Sequence, residues 1–138
     1  MKLVLKYSLL MITGGIVYCL IELLWRGYSH WTMFILGGIC FISLGLINEV
    51  CCHEAPLALQ MLIGCIIITS LEFITGCIVN IHLGWNIWDY SALRFNLHGQ
   101  IALHSSVAWY FLSAFGIILD DCLRKALFNE DIPRYKLL

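Results

Sequence analysis

Charged residues are scarce in this chain: 8 Lys and Arg and 9 Asp and Glu stand among 138 residues, with a net charge of -1 at pH 7. A balance this small gives no basic patch for a nucleic acid, so no nucleic-acid partner is expected. A disulfide framework is missing too. The seven cysteines, Cys19, Cys40, Cys51, Cys52, Cys65, Cys77 and Cys122, are odd in number and lie mostly inside apolar runs, where they read as small packing residues. No glycine lies in a phosphate-binding loop pattern, and no nucleophile–base pair or paired catalytic carboxylates stand at a convincing spacing. The chain is therefore expected to be no enzyme and to carry no cofactor. Cys51-Cys52-His53-Glu54 sets thiolates, an imidazole and a carboxylate in sequence, but neighbouring residues rarely converge on one ion without further ligands. The segment reads as a boundary loop, and no metal is expected.

What the chain has in abundance is apolar surface. Hydrophobic residues make up 61% of it and the mean hydropathy is +0.87. A domain of this size has too little interior to hide that many apolar side chains. Several runs approach the roughly 20 residues that cross a bilayer core of about 30 Å, so membrane spans explain them. The expected fold class is all-α: a polytopic membrane helical bundle of about four transmembrane helices, over a single integral membrane domain 1–138, in contact with the lipid bilayer. The spans are expected at about 5–25, 31–47, 57–81 and 100–119, leaving no room for a soluble catalytic domain.

Lys2 and Lys6 precede the first apolar run, but no small-residue cleavage pattern follows it, so a retained span is expected rather than a signal peptide. Arg124, Lys125, Arg134 and Lys136 make a basic tail over 120–138, whereas the connections at Arg26 and Arg94 carry one Arg each. That distribution favours both termini in the cytoplasm. It leaves the 48–56 loop inside although that loop holds no Lys or Arg. An aromatic and amide-rich outer loop at 85–99 separates the third and fourth spans, a composition suited to the bilayer–water boundary. The tryptophans are mostly explained as a belt at that boundary, with a stacking role for a carbohydrate or cation as the minor alternative.

The polar residues inside the apolar runs are the candidate site. By helical rise, Glu22 and Glu72 come to similar depth in the outer third of the membrane. An ionisable group there needs a partner, water or a proton. Glu72, Gly76 and Asn80 are spaced by four, and Cys65 and Thr69 extend one small, polar face of the third helix that should look into the bundle. Gly15, Tyr18, Glu22 and Arg26 make a similar stripe on the first helix, with Glu22 placed to pair with Arg26. Glu22 and Glu72 are also a faint sign of a parallel repeat of two hairpins. Gln100 and His104, with Asp89, Arg94 and Asn96 of the loop, complete a polar pocket opening outward. Helix packing through small residues and hydrogen bonds accounts for Glu22 and Arg26 more simply, and His104 reads more simply as an interfacial group. For Glu72 both readings stand.

Gly14-Gly15 before Tyr18, Glu22 and Leu24-Trp25-Arg26-Gly27, then Ser29-His30-Trp31, Leu71-Glu72-Phe73, Thr75-Gly76, Gly84-Trp85, Trp88-Asp89-Tyr90-Ser91, Phe95-Asn96 and Gly99-Gln100 follow one another in an order that resembles the CmpB-like, ABC-transporter type IV family of bacterial membrane proteins. Arg94 and His104 depart from the proline and the neutral residue expected at those places. The resemblance implies a bacterial inner-membrane protein, a permease-like transport component. Four spans are few for a permease, so that role implies a homo-oligomer and a separate ATP-binding subunit. The alternative is a non-transporting membrane module that assembles with or regulates a partner.

Overall fold

The computed structural model describes residues 1–51 and 55–138. Cys52, His53 and Glu54, from the segment read above as a boundary loop rather than a metal cluster, lie outside the described residues. Four helices carry the fold: α1 (Lys2–Arg26), α2 (Trp31–Leu46), α3 (Leu57–Gly76) and α4 (Leu103–Phe128). With the π-helical extensions Ile47–Cys51 and Cys77–His82, all four are long and apolar enough to cross a membrane. The chain is an all-α, multi-pass membrane protein. Between α3 and α4 the loop holds two short antiparallel strands, β1 (Asn96–Leu97) and β2 (Ile101–Ala102), paired Asn96 with Ala102 and Leu97 with Ile101.

Local chemistry sets the tight connection between α1 and α2. Gly27 takes φ 78°, a left-handed conformation that glycine adopts without penalty, and its N–H donates to Leu23 O at 2.9 Å. His30 then caps α2, its Nδ1 accepting from Thr32 N at 3.3 Å. The two helices pack backbone to backbone. A Cβ added to Gly14 would come 2.3 Å from Phe41 Cβ, and one added to Gly37 would come 2.2 Å from Tyr18 Cβ. Small residues permit this approach, and dispersion between the close backbones stabilises it where no hydrophobic effect separates helix from lipid.

Helix α2 is the centre of the bundle. Its apolar window is 56% buried, against 28 to 33% in the others, and it packs on α1, α3 and α4. It can take that place because Trp31–Leu46 contains no charged side chain. α3 pairs with α4, while α1 packs extensively on α2 alone. A crevice therefore remains between α1 and α4.

At the end of the bundle holding the chain termini, here the tail end, α4 continues past 119, where apolar character stops in the sequence. Asp120, Asp121 and Arg124 are all buried there, because Arg124 pairs with Asp120 while Asn48 and Tyr135 donate hydrogen bonds to Asp121. Asn129 (φ 55°) ends the helix. The segment beyond folds back under the bundle, where Lys136 O accepts from Leu57 N at 2.6 Å and Leu137 O from Ala58 N at 3.4 Å. These carbonyls cap the first N–H groups of α3, which Pro56 cannot serve with a side chain. Tyr135 packs on the core and donates to Asp121; burial, then that carboxylate, holds its hydroxyl pKa well above the ordinary range.

A candidate polar site at the loop end

The opposite end of the bundle gathers Glu22, Thr32, Glu72, Asn80 and Gln100, all buried. Glu72, on α3, is 3% exposed. Its Oε2 accepts from Trp109 Nε1 of α4 at 3.0 Å and its Oε1 from the Tyr90 hydroxyl of the loop at 3.4 Å. Tyr18 of α1 stacks on Trp109 with centroids 5.3 Å apart and planes 19° from parallel. One carboxylate thus joins α3 to α4 and to the loop, with α1 one ring away. Burial first, then the nearby Glu72 carboxylate, raises the Tyr90 hydroxyl pKa to about 12, so it stays a donor through the physiological range.

The loop is pinned above this contact by amides. Asn80 Oδ1 accepts from Ile87 N at 2.7 Å, and Asn80 Nδ2 donates to Gln100 Oε1 at 2.9 Å. Trp88 Nε1 donates to Gln100 O at 2.9 Å. Gly76 makes space for this arrangement, since a Cβ there would meet Gln100 Oε1 at 2.6 Å. Asn80 remains buried, as the spacing of four suggests, although Cys77–His82 is π-helical and shifts the register beyond Gly76. The lower part of the same face also turns inward: Cys65 Sγ lies 3.1 Å from Ser106 O, and Thr69 Oγ1 3.2 Å from Ser106 Oγ, on α4.

Glu22 pairs with Arg26 as their spacing suggests. Arg26 also reaches Ile87 O at 3.4 Å and lies 4.9 Å over the Tyr28 ring. The remaining candidates do not converge on Glu72. Asp89 is exposed and accepts from Ser91 N at 2.8 Å, a turn contact whose hydrogen bonds hold its carboxyl below the usual range. Asn96 closes the hairpin, accepting from Gly99 N at 3.0 Å and donating to Leu93 O at 2.7 Å. Arg94 and His104 are exposed side chains along α4, and the His104 ring lies against Trp25 with centroids 5.6 Å apart and planes tilted by 42°. The open pocket expected from all these residues resolves into a closed contact at Glu72, a pinned loop and a basic surface. A cavity of about 70 Å³ is lined by Glu22, Ser105 and both partners of Glu72, Tyr90 and Trp109, but not by Glu72 itself.

Sequence reasoning missed the two partners of Glu72. Trp109 lies well inside α4 rather than at its end, which was the available signal, because a buried indole N–H seeks an acceptor. Trp25, Trp31 and Trp85 are exposed, as belt residues are, whereas Trp88 and Trp109 are buried and hydrogen-bonded.

A second polar cluster lies at the tail end. Arg124 Nε donates to Asp120 Oδ2 at 2.6 Å and its Nη1 to Glu49; Lys6 Nζ meets Glu130 Oε1 at 2.5 Å and Glu49 Oε1 at 3.6 Å. Asn48 donates to Asp121 Oδ2 at 3.0 Å. This network ties α1, the end of α2, α4 and the terminal segment together. It also brings cationic partners to the 48–51 region, where the local sequence has none. Among the described residues, no group of three His, Cys, Asp or Glu side chains is placed to hold a metal ion.

No curated protein and no solved structure matches the chain. Residues 15–131, most of its length, match the family described as "Putative ABC-transporter type IV", and the chain belongs to that family.

Proposed function

We propose that the protein is the membrane-embedded, permease-like component of a transport system in a bacterial inner membrane, with both termini cytoplasmic and the Glu72 site toward the outside. It acts as a homo-oligomer whose energy comes from a separate ATP-binding subunit, and it performs no covalent chemistry itself. The observation that carries this reading is the Glu72 contact. A buried carboxylate within a span receives one donor from the loop and one from α4, and among the described residues no cationic side chain bonds it. A carboxylate so placed trades its two donors for a substrate group or a proton when loop and α4 separate, which couples binding to helix movement. Glu22, Asp89, Arg94, Asn96, His104 and Asn80 serve around it, as a paired neighbour, as loop supports or as surface contacts.

A non-transporting module that assembles with a partner is the second reading. What favours it is that each oxygen of Glu72 already accepts one hydrogen bond. Glu72→Gln separates the two, because the amide keeps an acceptor for Trp109 and nearly the same volume. The expected result is loss of transport with unfolding stability changed by no more than about 1 kcal/mol. Transport and folded protein falling together would overturn the reading. Native mass spectrometry of the assembly extracted from its own membrane supplies the partner test: a stoichiometric ATP-binding subunit is expected, and a stable complex with an unrelated membrane protein favours the module.

A further inference from the structure

The crevice between α1 and α4 runs through two adjoining cavities of about 50 and 70 Å³ that share Ile21, Trp109 and Leu112. Phe115 of α4, which lines the first cavity, is exposed, as are Ile16 and Leu20 of α1 and Phe111 of α4, side chains that face hydrocarbon in a spanning bundle. Enclosed volumes of about 50 and 70 Å³ hold neither a helix nor a whole acyl chain, so an occupant lies along the open groove with only part of its chain enclosed.

Its polar end is different in chemistry. Trp25 of α1 and His104 of α4 meet ring to ring at a tilt, and Ala108 joins the crevice to a shallow depression along α4 formed by Arg94, Phe95 and His104. Arg94 is exposed and makes no hydrogen bond or ion pair among the described residues. Phe95 beside it is 79% exposed at φ 54°, an uncommon conformation for a bulky residue, which sets an aromatic ring outward at the level of the basic group. Lower in the crevice, Tyr18 is 5% exposed and its hydroxyl has no hydrogen-bond partner among the described residues. A buried donor of this kind is normally satisfied. The arrangement is therefore amphiphilic along its length: apolar with one unsatisfied donor below, polar at Glu22, Tyr90 and Ser105 where Arg26 pairs with Glu22, and basic with aromatic flanks along α4 above.

We propose that this crevice binds a phosphate-bearing lipid of the surrounding bilayer, its hydrocarbon chain against Ile21, Trp109 and Leu112 and its phosphate against Arg94 and His104. Arg94 suits that role because a guanidinium gives a phosphate two parallel donors. The site does not rest on the transport reading. It also places a lipid against Trp109, the α4 partner of Glu72, so an occupant is in contact with the side chain that holds the buried carboxylate.

The test uses the full chain, delipidated in a mild non-ionic detergent and then exposed to mixed micelles containing either phosphatidylglycerol or a diacylglycerol with the same chains. Native mass spectrometry reads the lipid retained. One phosphatidylglycerol per chain is expected, with little diacylglycerol and no competition from free inorganic phosphate. Arg94→Gln, at an exposed loop position that leaves folding intact, is expected to lower retention about fivefold, the effect of one basic side chain near a membrane surface. Ala108→Trp, which fills the crevice, is expected to abolish it. Equal retention by the native chain and Arg94→Gln, equal retention of the two lipids, or a lipid-free dimer closing the crevice would each overturn the proposal.

Discussion

Arg124→Met is expected to destabilise the folded protein by about 3 to 5 kcal/mol, the range for removing one partner of a buried ion pair. Arg124 is 3% exposed and Asp120 is completely buried. Nε of the guanidinium serves Asp120 while Nη1 serves Glu49, with Glu130 Oε2 a further 3.7 Å contact. Methionine keeps much of the volume and removes every donor, so Asp120 is left as a charge in low dielectric, to be protonated or hydrated at the expense of packing. Arg124→Lys should fall between the two, because one ammonium cannot reproduce a fork that serves carboxylates on two elements. The double variant Asp120→Leu with Arg124→Met removes both charges, and its loss should be smaller than that of Arg124→Met alone. Equilibrium unfolding in mixed micelles measures all three. Equal losses for the single and double variants would show that charge pairing is not what the network supplies.

Gly37→Leu is the second large effect expected, at or above about 3 kcal/mol, the upper part of the range for overpacking. A Cβ at Gly37 would lie 2.2 Å from Tyr18 Cβ, 2.7 Å from Tyr18 Cγ and 3.0 Å from Gly14 O. These are atoms close to or on the backbone, so no rotamer change relieves them and α1 must move away from α2. The displacement reaches the candidate site, because Tyr18 stacks on Trp109 and Trp109 donates to Glu72. A change in the near-ultraviolet tryptophan signal should therefore accompany the loss of stability. Gly27→Ala is the comparison: at φ 78° with nothing within 4 Å, it meets only the left-handed backbone penalty of about 1 to 2 kcal/mol. Similar losses at the two positions would mean that the α1–α2 interface yields more easily than its geometry indicates.

The membrane class and the four helices followed from sequence alone, because an apolar run of bilayer length is a property of consecutive residues and needs no knowledge of neighbours. The stripes on α1 and α3 were legible for the same reason. Helical periodicity puts Tyr18 and Glu22, or Glu72 and Gly76, on one face whatever that face meets, and all four are buried. Glu22 with Arg26 was legible because the pair is local. What occupies the other side of each face was not. Trp109 and Tyr90 reach Glu72 only because α4 packs on α3 and the loop folds back over both, and residues 37 and 18 positions away carry no trace of that in their spacing. Asp120, Asp121 and Arg124 carry no mark of their burial in the sequence because hydropathy scores each charge as if water were its only partner. The fold supplies Glu49, Asn48 and Tyr135 instead, from two other stretches of chain. Asp89 and Arg94 failed to gather at Glu72 because the amides of Asn80 and Gln100 pin the loop and leave those two side chains on its surface, and His104 faces outward on α4 beside Trp25. Sequence thus determined which residues need a partner or a lipid-facing place, and tertiary structure decided which partner each one found, since desolvation acts on a residue where it stands but pairing depends on elements that only packing brings together.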